Sequence, residues 1–346
     1  MRSATLMFLL SLLPLLSSPP VRAEQPGSTS IAAWRGDARC ALSLTFDDNH
    51  PSRGEAAAIL DGFGFTGTFF VIVGSVDARM ERIYEDLAMR GHELGSHSLS
   101  HAHLLQASSE QVEYELGLSK ARLEEMTGLA CVSFASPYGE VNAVILETAA
   151  RHYLSARGTT GGTNADGTFD MYNLGINIFP PGIGPYSEAD YLSVLRQYVE
   201  YVDSVGGWGT EMFHNIGPEN NLITVTAHTL STHCEELASG ALSDSIWVAP
   251  QGRAARYYLE RMNTEAETDL VTSDTIVVRL NFDGDRRVFD EPLTVKTVIA
   301  VDWPQAAPEV FQDGKEYSCR LDMAGADRVA VYEALPGRGP VTIRRP

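Results

Sequence analysis

The apolar positions of the chain fall into two regimes. From about residue 40 to 262, short continuous apolar runs alternate with segments whose apolar residues recur at helical spacing. The runs at 40–46, 68–73, 92–96, 131–135, 153–156, 209–214 and 245–249 read as strands. Helices are expected over 51–60, 80–90, 108–127, 142–150, 189–205 and 252–262, and in part of 221–237. The segment 108–127 is the clearest, with Val112, Leu116, Leu123 and Met126 on one face, Ser109 as a cap and Gly128 as a stop. Strands alternating with helices imply mostly parallel strands joined by crossover helices. After Asn263 the period changes. The stretches 275–282, 293–301, 328–333 and 341–344 alternate in β fashion between turns such as Asp283-Gly284 and Asp313-Gly314. A small all-β, sandwich-like domain over 265–346 is expected.

The ends and joints read differently. Arg2, an apolar run at 6–13 and the small-residue site Val21-Arg22-Ala23 form a signal peptide over 1–23. The mature chain is then secreted or periplasmic. The apolar run is too short to span a bilayer, and no later run is longer, so no stable membrane insertion is expected. Residues 24–38 read as a polar linker, and 158–185 as a glycine-rich irregular stretch.

Composition narrows the partners. An apolar content of 44% and a charged content of 21% suit an ordinary soluble protein. The net charge of −19 argues against nucleic-acid binding and makes a polyanionic partner less comfortable than a neutral one. Cys40, Cys131, Cys234 and Cys319 could pair in three ways in an oxidising compartment. Buried free thiols are an equal reading for Cys40 and Cys131.

Two motifs carry chemistry. Thr45-Phe46-Asp47-Asp48 places two carboxylates at the end of an apolar run, and His97 and His101 stand at i and i+4. That spacing puts both imidazoles on one face of a helical turn. One Asp and two His suit a borderline divalent metal, with zinc first, and three protein ligands leave a position open for chemistry. The second Asp is then free to act as a base. The Gly62–Gly67 match to G-x-G-x-x-G follows a helix and precedes a strand, the wrong context for a dinucleotide site. Neither a G-x-S-x-G elbow nor a P-loop occurs.

In this order the motifs resemble those of the polysaccharide deacetylase family (NodB-type, carbohydrate esterase family four). Phe134-Ala135-Ser136-Pro137-Tyr138-Gly139 is similar to that family's Arg-x-Pro-Tyr segment in altered form, and Met212-Phe213-His214 to its late apolar-x-His motif. The resemblance implies a distorted (β/α) barrel over 39–262 with catalytic groups at the carboxyl ends of the strands. It further implies hydrolytic removal of acetyl groups from an N- or O-acetylated glycan. Asp48, His97 and His101 would be the metal ligands and Asp47 the base. The Tyr138 amide would support the oxyanion, and His214 would be the acid. Pro137, Tyr138, Trp208 and Met212 are expected to bind the sugar, although Trp208 serves equally well as a core residue. Asn49 replaces the usual Gly after the Asp pair. Ala135 replaces the Arg that in the family holds the base, and Arg157 from the next strand is expected to take its place, although a surface Arg beside the glycine-rich loop is an equal reading. An Asp to support His214 would lie at Asp166 or Asp170. His50 and His103 read as solvated, His92 as structural, and His228 and His233 as too poorly spaced for one metal. Two rival readings keep the fold: a non-catalytic glycan-binding protein, suggested by Ala135, and a hydrolase of small amides.

Overall fold

The computed structural model describes residues 25–177 and 184–346, so the expected signal segment lies outside the described residues. The strand Cys40–Phe46 is the centre of the larger sheet. All seven of its residues are buried, as expected of a strand covered on both faces. Leu42, Leu44 and Phe46 join the main core, where the Phe46 ring stacks on Phe69 and Phe213. Ser43 and Thr45 alternate with them and meet polar partners instead. Ser43 accepts the Trp208 indole N–H at 3.0 Å, and Thr45 donates to the Glu211 carbonyl at 2.9 Å.

Parallel neighbours extend from this strand in spatial order: Thr68–Val71, Glu93–Ser96, Ser133–Ala135, Ser155–Gly161 and Leu174–Ile176. Ile246–Val248 and Trp208–Phe213 also pair with it in parallel. No ladder joins Leu174–Ile176 to Trp208–Phe213. Two asparagines bridge that seam. Asn177 donates its backbone N–H to Thr210 O at 3.0 Å and accepts the Met212 N–H at 2.9 Å, and Asn164 donates to Trp208 O at 2.8 Å. The result is a nearly closed barrel of the expected type. Leu174–Ile176 lies inside the stretch that the sequence showed only as irregular, because a three-residue strand carries no periodic signal.

Helices Arg53–Gly62, Ala78–Met89, Ser109–Thr127, Ala143–His152, Glu188–Val205, Ala227–Ser239 and Gln251–Asn263 surround the sheet. The cap of the long helix is Ser108, one residue before the expected Ser109, in a reciprocal box with Gln111.

Beyond the barrel lie two antiparallel sheets of four and five strands. Ile276, Val278, Val295, Val310, Tyr332 and Ile343 fill the space between them, giving the expected sandwich. The stretch expected as a linker over 24–38 is instead built into the molecule. Thr29–Ile31 pairs antiparallel with Leu293–Ile299 of the four-stranded sheet. Trp34, fully buried, packs against Trp208, Tyr257 and Tyr258 below the amino ends of the barrel strands. Trp208 therefore belongs to the core and not to the sugar groove, as its complete burial requires. All four cysteines carry free thiols. Among the described residues, no helix is long and apolar enough to cross a membrane.

Candidate metal centre

The carboxyl ends of the strands converge on one cleft of about 590 Å³, lined by Asp47, Asp48, His97, His101, Tyr138 and His214 among others. Each side chain arrives by a local backbone device. Asp47 continues the central strand by one hydrogen bond, donating its N–H to Phe213 O at 2.9 Å. Asp48 then turns away at φ 71°, a left-handed conformation that Asp tolerates better than most residues. His97 follows the strand Glu93–Ser96. The segment to His101 is not the helical turn expected from the i, i+4 spacing. It is a loop with Ser98 and His101 both left-handed, at φ 63° and 59°, and Ser98 Oγ accepts the His101 N–H at 2.9 Å. The two rings still meet, with centroids 4.9 Å apart.

Asp48, His97 and His101 form the one candidate metal-holding group among the described residues. Nε2 of His97 and of His101 lie 3.5 and 3.4 Å from Asp48 Oδ1. Tetrahedral ligands at zinc bond lengths of about 2.0–2.1 Å sit about 3.3–3.4 Å from one another. Both distances to Asp48 therefore match such an ion, and all three donors lie within 4.8 Å of one another. His97 Nδ1 lies 2.8 Å from the Ala135 carbonyl, which requires its proton there and frees Nε2 as a ligand. The adjoining His97 imidazole, opposed by burial, holds the Asp48 carboxyl down at about 2.

Asp47 is buried beside this group. Arg157, also buried, donates to its carboxylate and to Thr45 Oγ1, and its guanidinium lies over the Phe70 ring. Arg157 and Ala135 are direct register partners on adjacent strands. The cation thus enters one strand away from the position where the small Ala135 stands. Burial pushes the Asp47 carboxyl up, and Arg157 with His97 and His214 more than offsets it, leaving it below the ordinary carboxylate range.

Tyr138 lies at φ 56° in the turn Pro137–Gly139. Its exposed ring stacks on His103 at 3.9 Å and meets His101 edge-on at 4.5 Å. His103 is held by Glu140 at 2.8 Å, so it is part of this wall and not a free loop histidine. Pro137 is buried and does not line the cleft, which corrects its expected place in sugar binding. Met212 lines it, with Ile176, Asn177, Leu222 and Ile223. His214 ends the strand Trp208–Phe213 at the opposite wall, and its Nδ1 is buried without a partner. Neither expected aspartate reaches it. Asp166 pairs with Arg261, and Asp170 accepts the Tyr172 N–H. Burial lowers the His214 pKa, against the pull of Asp47 and Asp48.

Three residues have supporting roles that the sequence reading did not assign. Glu115 accepts the N–H groups of Leu99 and Ser100 at 3.0 and 2.8 Å and the Ser100 hydroxyl at 2.6 Å, fixing the loop between the histidines. Its signal was an acid on the apolar face of the helix, between Val112 and Leu116. Asn49 clamps Ile72 by both amide atoms and accepts the Tyr84 hydroxyl, so the residue in place of Gly is a staple between strands. Arg53 is fully buried and grips the carbonyls of Asp48 and His214.

The fold is a barrel of the deacetylase type, and Asp48, His97 and His101 are its candidate metal ligands. A family model for polysaccharide deacetylases matches residues 36–156, the part that carries Asp47, Asp48, His97, His101 and Tyr138. A crystal structure from Mycobacterium smegmatis described as a polysaccharide deacetylase shares the fold, with a TM-score of 0.52 and 19% identity over 69% of this chain and 96% of that one. A gellan lyase from a Bacillus species is 26% identical over 349 residues, covering 92% of this chain and 13% of the relative. A peptidoglycan-N-acetylglucosamine deacetylase from Listeria monocytogenes is 31% identical over 109 residues, 31% of this chain and 23% of the relative. The chain thus spans less than a quarter of the length of either curated relative.

Proposed function

We propose that the protein is an exported, metal-dependent hydrolase that removes acetyl groups from an N- or O-acetylated polysaccharide or oligosaccharide. The observation that carries this reading is a buried carboxylate, Asp47, held ionised by Arg157 beside the separate donor set Asp48, His97 and His101. A pure binding site has no use for a second, desolvated carboxylate kept charged at such cost.

Asp48, His97 and His101 would hold a divalent ion, zinc before others by donor type and spacing. When bound, that ion supplies Lewis acidity toward the acetyl carbonyl and the attacking water. Asp47 accepts the proton of the water as the new C–O bond forms. The Tyr138 N–H donates to the oxyanion that develops on the carbonyl oxygen. His214, on the far wall, gives its proton to the departing nitrogen or oxygen as that bond breaks, so acetate leaves and the sugar amine or hydroxyl is restored. The exposed Tyr138 ring and the aliphatic Leu222 and Ile223 offer apolar faces of the kind pyranose rings stack on. The gellan lyase and the peptidoglycan deacetylase are named for carbohydrate polymers, which supports a glycan over a small amide.

The orphaned His214 Nδ1 favours one second reading, a glycan-binding protein that keeps the metal and has lost turnover. Acetate release from a panel of acetylated glycans separates the two. Zinc-dependent release supports the hydrolase. Stoichiometric zinc with glycan binding and no acetate supports the binder.

A further inference from the structure

Arg53 is the largest charged side chain buried near the cleft that the proposed chemistry does not use. It stands at the start of the helix Arg53–Gly62, directly after the Asp47-Asp48 turn. A guanidinium out of water is costly unless its donors are satisfied. None of its hydrogen bonds among the described residues goes to a carboxylate. Nε and Nη2 donate to the Asp48 carbonyl, at 3.1 and 2.6 Å, and Nη1 donates to the His214 carbonyl.

These two carbonyls have a particular place in the fold. The strands Cys40–Phe46 and Trp208–Phe213 run in parallel register up to the pair Phe46–Phe213. One further bond, from Asp47 N–H to Phe213 O, ends the ladder. Beyond it the chains part, Asp48 turning left-handed and His214 continuing into the opposite wall. Arg53 spans the gap that opens. Its planar fork reaches both backbones at once, as a lysine ammonium with a single donor centre cannot.

We propose that Arg53 is a positioning residue that fixes the Asp48 and His214 backbones at one separation, so that a single guanidinium sets both the metal-ligand geometry and the placement of the acid. Among the described residues, the Asp48 carbonyl has no other hydrogen-bond donor. The left-handed backbone of Asp48 is held by two of the three Arg53 bonds, so releasing them lets the peptide relax and carries its carboxylate away from His97 and His101. His214 loses its register with Asp47 in the same event. This inference rests on the proposed metal-dependent hydrolysis, but its first readout needs no substrate.

The test uses the full chain with Arg53→Lys and Arg53→Ala. Zinc affinity is measured by competition with a chromophoric chelator, kcat and KM at saturating zinc, and Tm with and without zinc. Residues that orient metal ligands typically change affinity about 10–100-fold when replaced. Arg53→Lys is expected to weaken zinc binding by about that factor and to lower kcat with KM changed less than about threefold. Guanidinium ion added to Arg53→Ala is expected to recover part of both losses, as filling a general structural void with an alkylammonium would not. Wild-type zinc affinity in Arg53→Lys overturns the proposal. So does normal kcat at saturating zinc, because His214 is then placed without the fork. If neither variant folds, Arg53 is a folding requirement and not a setter of the site, and the proposal is equally overturned. A wild-type protein that binds zinc and releases no acetate fails the functional reading alone, since zinc competition and guanidinium rescue still decide the role of Arg53.

Discussion

At the scale of single residues, the site is organised around the difference between two neighbouring carboxylates. Asp48 faces two imidazoles at 3.4–3.5 Å, whereas Asp47 faces a buried guanidinium. On the proposed reading the first is a ligand and the second a base, although they are adjacent in the sequence. Asp47→Asn is expected to keep zinc and lose about 10²–10⁴ in kcat. Normal turnover would remove Asp47 from the chemistry. Arg157 makes a second prediction with a defined sign. It offsets a burial effect that by itself raises the Asp47 pKa. In Arg157→Ala the acidic limb of the kcat/KM profile should therefore move to higher pH, and a limb that stays in place would contradict the ion pair's role. The sequence carried the identity of every cleft residue with a motif behind it, and also the direction from which Arg157 enters. It did not carry Glu115, Arg53 or Asn49 as site residues. Their partners are chiefly backbone groups at separations from 5 to 161 residues, and no spacing rule encodes them.

At the scale of elements, the strand ends decide the chemistry. Strand runs and long helices were legible because burial on both faces or on one stripe writes a period into the sequence. The geometry of the loops was not. The His97–His101 segment reads as a helical turn by spacing, yet it is a loop whose two left-handed residues are pinned by Ser98 and Glu115. The three-residue strand Leu174–Ile176 was invisible for want of length. Trp208 shows the limit of residue type as a guide. Tryptophan suits both sugar stacking and a core, and only the arrival of Trp34 decides for the core. The Tyr138 turn depends on Gly139, at φ 68°, where an added Cβ would meet the Thr159 side chain. Gly139→Ala should displace the Tyr138 amide and lower kcat by about tenfold or more. Unchanged kcat would mean that this amide is not an oxyanion donor.

At the scale of the whole molecule, the sandwich and the barrel share one packed seam. The chain enters through Thr29–Ile31 as a strand of the sandwich, then lays Trp34 against the base of the barrel. The Tyr257 hydroxyl donates to the Ala32 carbonyl at 3.0 Å from the closing helix. On the same helix Glu260 is buried and accepts the Glu291 N–H at 3.1 Å from the sandwich side. Burial, with the nearby Glu291 and Asp290 charges, pushes the Glu260 carboxyl up to about 8. The folded value lies above the unfolded one of about 4.3, so this group's contribution is full below that pH. It is lost as pH rises toward 8. Glu260→Gln keeps the acceptor without the charge. It should match the wild-type Tm near the lower end of that window and exceed it by on the order of a few °C above the upper end. Equal melting at both ends would show that the seam tolerates the charge.

The measurement that bears most directly on the whole account is acetate release by the full chain after chelation, with and without added zinc, on a panel of N- and O-acetylated glycans. The account predicts no release from the chelated protein, release on at least one glycan when zinc is restored, and none from Asp47→Asn with zinc bound. Release that survives chelation, or a zinc-loaded wild type inert on every glycan, would contradict it.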